Sequence, residues 1–189
     1  MKFTVPNFLS LLRMGLIPLF IIAVLDGESR KALLIFAIAG LTDALDGYIA
    51  RFWHQESLLG AYLDPIADKL LLTSAYIVLS FPTLNQGAQI PLWVTVLVIA
   101  RDVLMVAVAL ILYLAAEVRR FPPSVLGKLN TALQVVAVVL VLFSAILRQL
   151  EPVAGWALMA VAVLTVASGL NYVYRVSRGP QQAQPQERT

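Results

Sequence analysis

Apolar residues fall along this chain in long blocks, separated by short clusters of charged and turn-forming residues. Six blocks are long enough to cross a bilayer, for which an α-helix needs roughly 20 apolar residues. They are Asn7–Leu25, Lys31–Phe52, Leu58–Phe81, Ile90–Leu114, Leu126–Leu147 and Val153–Val173. The breaks carry turn or charge signals: Asp26-Gly27-Glu28-Ser29, the stretch from Phe52 to Ser57, Pro82 to Gln89, Glu117 to Pro123, and Arg148 to Pro152. The pattern predicts an all-α polytopic membrane protein with six transmembrane helices. Residues 1–178 are expected to form one membrane domain. Beyond Arg178 the composition turns to Gly, Pro, Gln and Ala, and residues 179–189 are expected to be a disordered tail. Lys2 followed by apolar residues imitates a signal peptide. Arg13 interrupts that run and no small-x-small site precedes Asp26, so the segment is expected to stay attached.

Composition agrees with the pattern. The chain is 60% hydrophobic and 13% charged, with a mean hydropathy of +0.83, whereas a soluble domain is about half apolar and a quarter charged. A water-soluble enzyme and a disordered chain are both excluded. The absence of cysteine excludes a disulfide framework, thiolate chemistry and a Cys-ligated zinc site. A net charge of +3 gives no reason to expect nucleic acid as a partner. The placement of the basic residues says more. With the N-terminus inside, Lys2, Arg51, Arg119, Arg120, Lys128, Arg175, Arg178 and Arg188 fall on the inner side, against Arg30, Lys31 and Arg148 outside. The positive-inside bias therefore predicts that both termini are cytoplasmic. The two halves share no sequence repeat, which weighs against a transporter built from inverted repeats.

The charged residues inside the blocks carry the candidate chemistry. Asp43, Asp46, Asp64, Asp68 and Asp102 lie within predicted spans, where each ionised carboxylate costs about 2.5–3.5 kcal/mol. Asp43 and Asp46 are three residues apart, so they sit about 60° apart on one helical face. Gly47 and Ala50 fall on that face. Gly60, Asp64 and Asp68 follow one another at four-residue steps on the next span. The connection between these spans is short, which makes them antiparallel neighbours and brings both aspartate pairs to the cytoplasmic end of the hairpin. Four converging carboxylates call for hard divalent cations, Mg²⁺ or Mn²⁺. Four suit two such ions, which in phosphoryl chemistry lie roughly 3.5–4 Å apart. Gly47, Ala50 and Gly60 leave a groove beside them. Arg51 has the planar fork that suits a phosphate. Together these describe a site for a diphosphate carrying a flat base.

The residues concerned read Asp43-x2-Asp46-Gly47-x2-Ala50-Arg51-x8-Gly60-x3-Asp64-x3-Asp68. This resembles the signature of the CDP-alcohol phosphatidyltransferases. Pro6-Asn7 with Arg13, Arg101-Asp102, and the run from Gly127 through Lys128 to Gln134 are similar to the glycerophospholipid branch, and the similarity covers about residues 3–175. The resemblance implies six helices, a common dimeric state and a cytoplasm-facing site. It implies transfer of a phosphatidyl group from CDP-diacylglycerol to an alcohol, with release of CMP. Asp43, Asp46 and Asp64 would be metal ligands, and Asp68 would be both a ligand of the second metal and the general base. Arg51 would hold the diphosphate, with Gly47, Ala50 and Gly60 making room for cytidine.

Two acceptors remain open. Glycerol-3-phosphate, the acceptor of a phosphatidylglycerophosphate synthase, would need basic residues opposite the metals, with Arg101, Arg119, Arg120 and Lys128 as candidates. Phosphatidylglycerol would make the chain a cardiolipin synthase, to which Arg101-Asp102 and Lys128-Leu129-Asn130-Thr131 look similar. Small size and the lack of a transit peptide point to a bacterial plasma membrane. A cation transporter is the alternative from another class, although it has no need of Gly47, Ala50 and Arg51 at these spacings. Other polar residues have plainer expectations. Arg13 would anchor the first helix at the interface or touch substrate. Lys69 would pair structurally. Asp102 would pair with Arg101 or meet the acceptor. His54 would be a solvated loop residue, and Trp53, Trp93 and Trp156 would mark span ends.

Overall fold

A computed structural model describes residues 5–53, 58–81, 89–116 and 125–177. Among the described residues every regular element is helical: α1 (Val5–Leu25), α2 (Ser29–Trp53), α3 (Leu58–Leu79), α4 (Leu92–Ala116), α5 (Val125–Ile146), a 3₁₀ turn at Arg148–Leu150, and α6 (Glu151–Ser177). The helix ends match the apolar blocks to within two residues, except that α6 runs on past Val173 to Ser177. Backbone hydrogen bonding does not stop where the side chains become polar, so a helix can outlast its apolar block. The expected tail, residues 179–189, lies outside the described residues.

The turn between α1 and α2 is built by local chemistry. Gly27 has φ 71°, in the left-handed region. Its N–H donates to Val24 O at 3.0 Å, and the N–H of Glu28 donates to Ala23 O at 2.9 Å. This pair of bonds is the Schellman arrangement, which satisfies carbonyls that the end of α1 would otherwise leave open. At the start of α6, Glu151 places an acidic group against the positive end of the helix. Pro152 follows where a missing N–H is harmless.

α1 packs against α2 and α3, α5 against α6, α4 against α6, and α2 against α5. The helices thus form two groups of three, joined through α2 and α5. Small residues allow the close approach. Ala23, Ala32 and Ala39 pack around the Phe20–Phe36 ring pair, whose centroids are 5.7 Å apart. Ala137, Val138, Val141 and Leu142 of α5 complete the core with Ala154, Leu158 and Val161 of α6. The outside is apolar as well. Leu34, Val106, Leu114, Trp156 and Val163 are all exposed, a surface that water disfavours and lipid accepts. Phe8–Leu25, Val125–Ile146 and Arg148–Tyr174 are long and apolar enough to cross a bilayer. The chain is an all-helical membrane protein.

Candidate active site

The site begins where α1 lies against α2 and α3. Asp43 is in the second half of α2, and Asp64 and Asp68 are in the first half of α3. Ser10 and Arg13 are three residues apart on α1 and therefore share a face. Ser10 Oγ donates to Asp64 Oδ1. Arg13 Nη1 donates to Asp68 Oδ1 at 2.5 Å and lies 2.9 Å from Asp43 Oδ1. Three of the four aspartates are thus gathered on one face of α1. Arg13 is fully buried, while the side chains of Asp43 and Asp68 are 44% and 41% exposed. The arginine closes the inner side of the site, and the carboxylates open outward toward an incoming ligand.

Arg13 is not the interfacial anchor that one sequence expectation made it. A guanidinium in lipid needs anionic partners, and the packing of α1 supplies them. Ser10 was missed altogether. The available signal was the three-residue step from Ser10 to Arg13, which puts a hydroxyl and a cation on one face of an otherwise apolar helix.

The donor chemistry fits a divalent metal. The donors are carboxylate oxygens on adjacent helices, and two of them already share one cationic nitrogen, so a positive group between them is accommodated. Among the described residues no three acidic side chains form a complete ligand set. The side chain of Asp46, the fourth expected ligand, lies outside the described ones. So do the side chains of Ala50 and Arg51 and the surroundings of Gly47 and Gly60, although all these positions fall on α2 or α3. His54, Arg119 and Arg120 also lie outside the described residues.

A second polar cluster is buried among α3, α4, α5 and α6. Asp102 accepts from Lys69 Nζ at 2.6 Å and from Arg101 Nη1 at 2.8 Å. Arg101 Nη2 donates to Ser168 Oγ at 2.7 Å, and the arginine stem passes over Gly169. Thr165 Oγ1 donates to Asn130 Oδ1 at 3.1 Å. Lys69 is therefore a pairing residue, as expected, and the partner is Asp102. Of the four acceptor candidates, Arg101 belongs to this network. Lys128 is exposed on α5 and stands outside it. Sequence reasoning gave Thr165 and Ser168 no role, because single hydroxyls in an apolar helix carry no distinctive spacing.

An all-helical membrane protein with aspartates gathered on the α1 face of α2 and α3 is a narrow class, and comparison with known proteins places the chain within it. The model of the CDP-alcohol phosphatidyltransferase family matches residues 3–167, and the chain belongs to that family. It is similar to a probable phosphatidylglycerophosphate synthase of Mycobacterium tuberculosis, with 39% identity over 91% of this chain and 81% of that protein. It is similar to a CDP-diacylglycerol–glycerol-3-phosphate 3-phosphatidyltransferase of Haemophilus influenzae, with 34% identity over 95% of this chain and 96% of that protein. It is also similar to the cardiolipin synthase (CMP-forming) of Rattus norvegicus, with 33% identity over 93% of this chain. The chain spans 62% of the length of the rat protein.

Proposed function

We propose that this chain transfers the phosphatidyl group of CDP-diacylglycerol to the hydroxyl of an alcohol, releasing CMP, in phospholipid synthesis. The observation that carries this reading is the gathering of Asp43, Asp64 and Asp68 by Ser10 and Arg13 within a spacing characteristic of the family. In this reading Asp43, Asp46, Asp64 and Asp68 hold two divalent ions, Mg²⁺ or Mn²⁺. Those ions, when bound, neutralise the diphosphate and the charge of departing CMP. Arg51 grips diphosphate oxygens with its fork, and Gly47, Ala50 and Gly60 leave room for cytidine. Asp68 takes the proton of the acceptor hydroxyl, and its part-exposed carboxylate is within reach of a ligand.

The acceptor in this proposal is glycerol-3-phosphate, with Arg101, Arg119, Arg120 and Lys128 as the basic side of its site. One observation favours phosphatidylglycerol as a second reading. Arg101 and Lys69 are already neutralised by Asp102, which leaves less charge for a dianion. The names of the relatives divide in the same way. In the same proposal all six helices span the bilayer, and both termini and the carboxylates face the cytoplasm. Residues 1–178 act as one domain, and the protein works as a homodimer in a bacterial plasma membrane.

CMP release by the purified protein with CDP-diacylglycerol and Mg²⁺, supplied in parallel with glycerol-3-phosphate or phosphatidylglycerol, tests the reaction. Turnover with the first acceptor supports the phosphatidylglycerophosphate synthase reading, and turnover only with the second supports the cardiolipin synthase reading. No turnover, together with no thermal protection by CMP plus Mg²⁺, would return the chain to the cation-transporter alternative.

A further inference from the structure

We propose that Arg13 is the built-in cation of the metal-free site, and that a divalent ion binds by displacing its guanidinium from Asp43 and Asp68. The inference rests on the metal-binding role of those aspartates proposed above. Two features of the geometry carry it. First, a single nitrogen, Nη1, serves Oδ1 of both aspartates, at 2.9 and 2.5 Å. A magnesium ion holds its oxygen ligands at about 2.0–2.1 Å. An ion drawing on the same two oxygens therefore takes the place of that nitrogen, and at least one arginine contact must break. Second, exposure is one-sided. Arg13 is fully buried while both carboxylates are part-exposed. The metal can approach the carboxylates from the open side, and the arginine is already enclosed by protein.

The arrangement answers a problem that the aspartates create. Without a cation, clustered carboxylates in a membrane helix pair repel one another and lack water to solvate them. Arg13 supplies a compensating charge from a third helix, so α1, α2 and α3 can assemble before any metal arrives. The same charge competes with the metal afterwards, and holds metal affinity below what the bare carboxylates would give. Arg13 is thus a positioning residue for the empty site and a regulator of its loading.

The test compares the full-length protein with Arg13→Gln and Arg13→Lys in two measurements: thermal unfolding with a chelator or with saturating Mn²⁺, and Mn²⁺ binding followed by the loss of the free-ion electron paramagnetic resonance signal. The expected results for Arg13→Gln are a melting temperature in chelator lower by at least about 5 °C, recovery of that loss in Mn²⁺, and Mn²⁺ affinity tightened by at least about fivefold. Arg13→Lys keeps the charge without the fork and should lie between the other two. Unchanged or weaker Mn²⁺ affinity in Arg13→Gln overturns the proposal, as does a failure of both variants to fold even with Mn²⁺ present. If the wild type binds Mn²⁺ and releases CMP but Arg13→Gln shows no gain, only the role of Arg13 falls. If the wild type binds no Mn²⁺, the metal reading falls with it.

Discussion

An ionised aspartate inside a bilayer needs a cation or a hydrogen-bond donor, and Asp43, Asp64 and Asp68 each receive one from α1. Their shared environment makes them interdependent, so each should be indispensable to turnover. Asp43→Asn, Asp46→Asn, Asp64→Asn and Asp68→Asn are each expected to abolish CMP release while the protein still inserts. Near-normal turnover in any of the first three would sink the assignment of two metals. Arg51 tests a different interaction. If its fork grips the diphosphate at two points, Arg51→Lys should slow CMP release at least tenfold, or about 1.4 kcal/mol. An unchanged rate would make Arg51 structural. The aspartates and Arg51 were legible as chemistry because charge is rare in these spans and their spacing is regular. Ser10 was not, because a serine in a membrane helix is common and only packing shows what it faces.

The helices were legible for a related reason. Continuous apolar blocks admit no other regular structure in lipid, where each backbone group must be satisfied within its own segment. The turn at Gly27 adds a requirement that a side chain resists, since φ 71° crowds any Cβ. Gly27→Ala should therefore cost about 1 kcal/mol, lowering the melting temperature by about 2–4 °C in a chain of this size. The joint between α3 and α4 depends on Asp102, the shared partner of Lys69 and Arg101. Asp102→Asn leaves the buried Arg101 without its countercharge and should destabilise by about 3 kcal/mol. The double variant Arg101→Leu/Asp102→Leu should be less destabilised than Asp102→Asn alone, since it removes both charges together. The reverse order in a thermal melt would show that the pair is not an energetic unit. Sequence alone left Asp102 divided between pairing with Arg101 and contact with an acceptor. The structure adds Lys69 as a second partner because α3 brings it alongside α4.

At the scale of the molecule, orientation is the property most open to a direct test. The chain has no cysteine, so single introduced thiols report without background. Ser29→Cys, between α1 and α2, is expected to react with a membrane-impermeant maleimide in intact cells. Ser177→Cys, at the end of α6, is expected to react only after permeabilisation. The opposite pattern would invert the topology and put the carboxylates on the outer side. The prediction follows from the positive-inside bias of the loops.

The sequence by itself determined the all-helical class, the approximate limits of the six helices and the identity of the aspartate cluster. Each of these follows from local facts: apolar length, turn chemistry, and the repeat of a helix that places residues three and four apart on one face. The packing of α1 against α2 and α3 decided which groups answer those aspartates, and the packing of α4 against α6 placed Ser168 on Arg101. Arg13 and Ser10 are more than 50 residues from Asp64 and Asp68 in the chain, so no local pattern links them. Their meeting depends on how close three helices can come. That closeness is set by the alanines and aromatic rings between α1, α2 and their neighbours, and it becomes visible only when the helices are assembled.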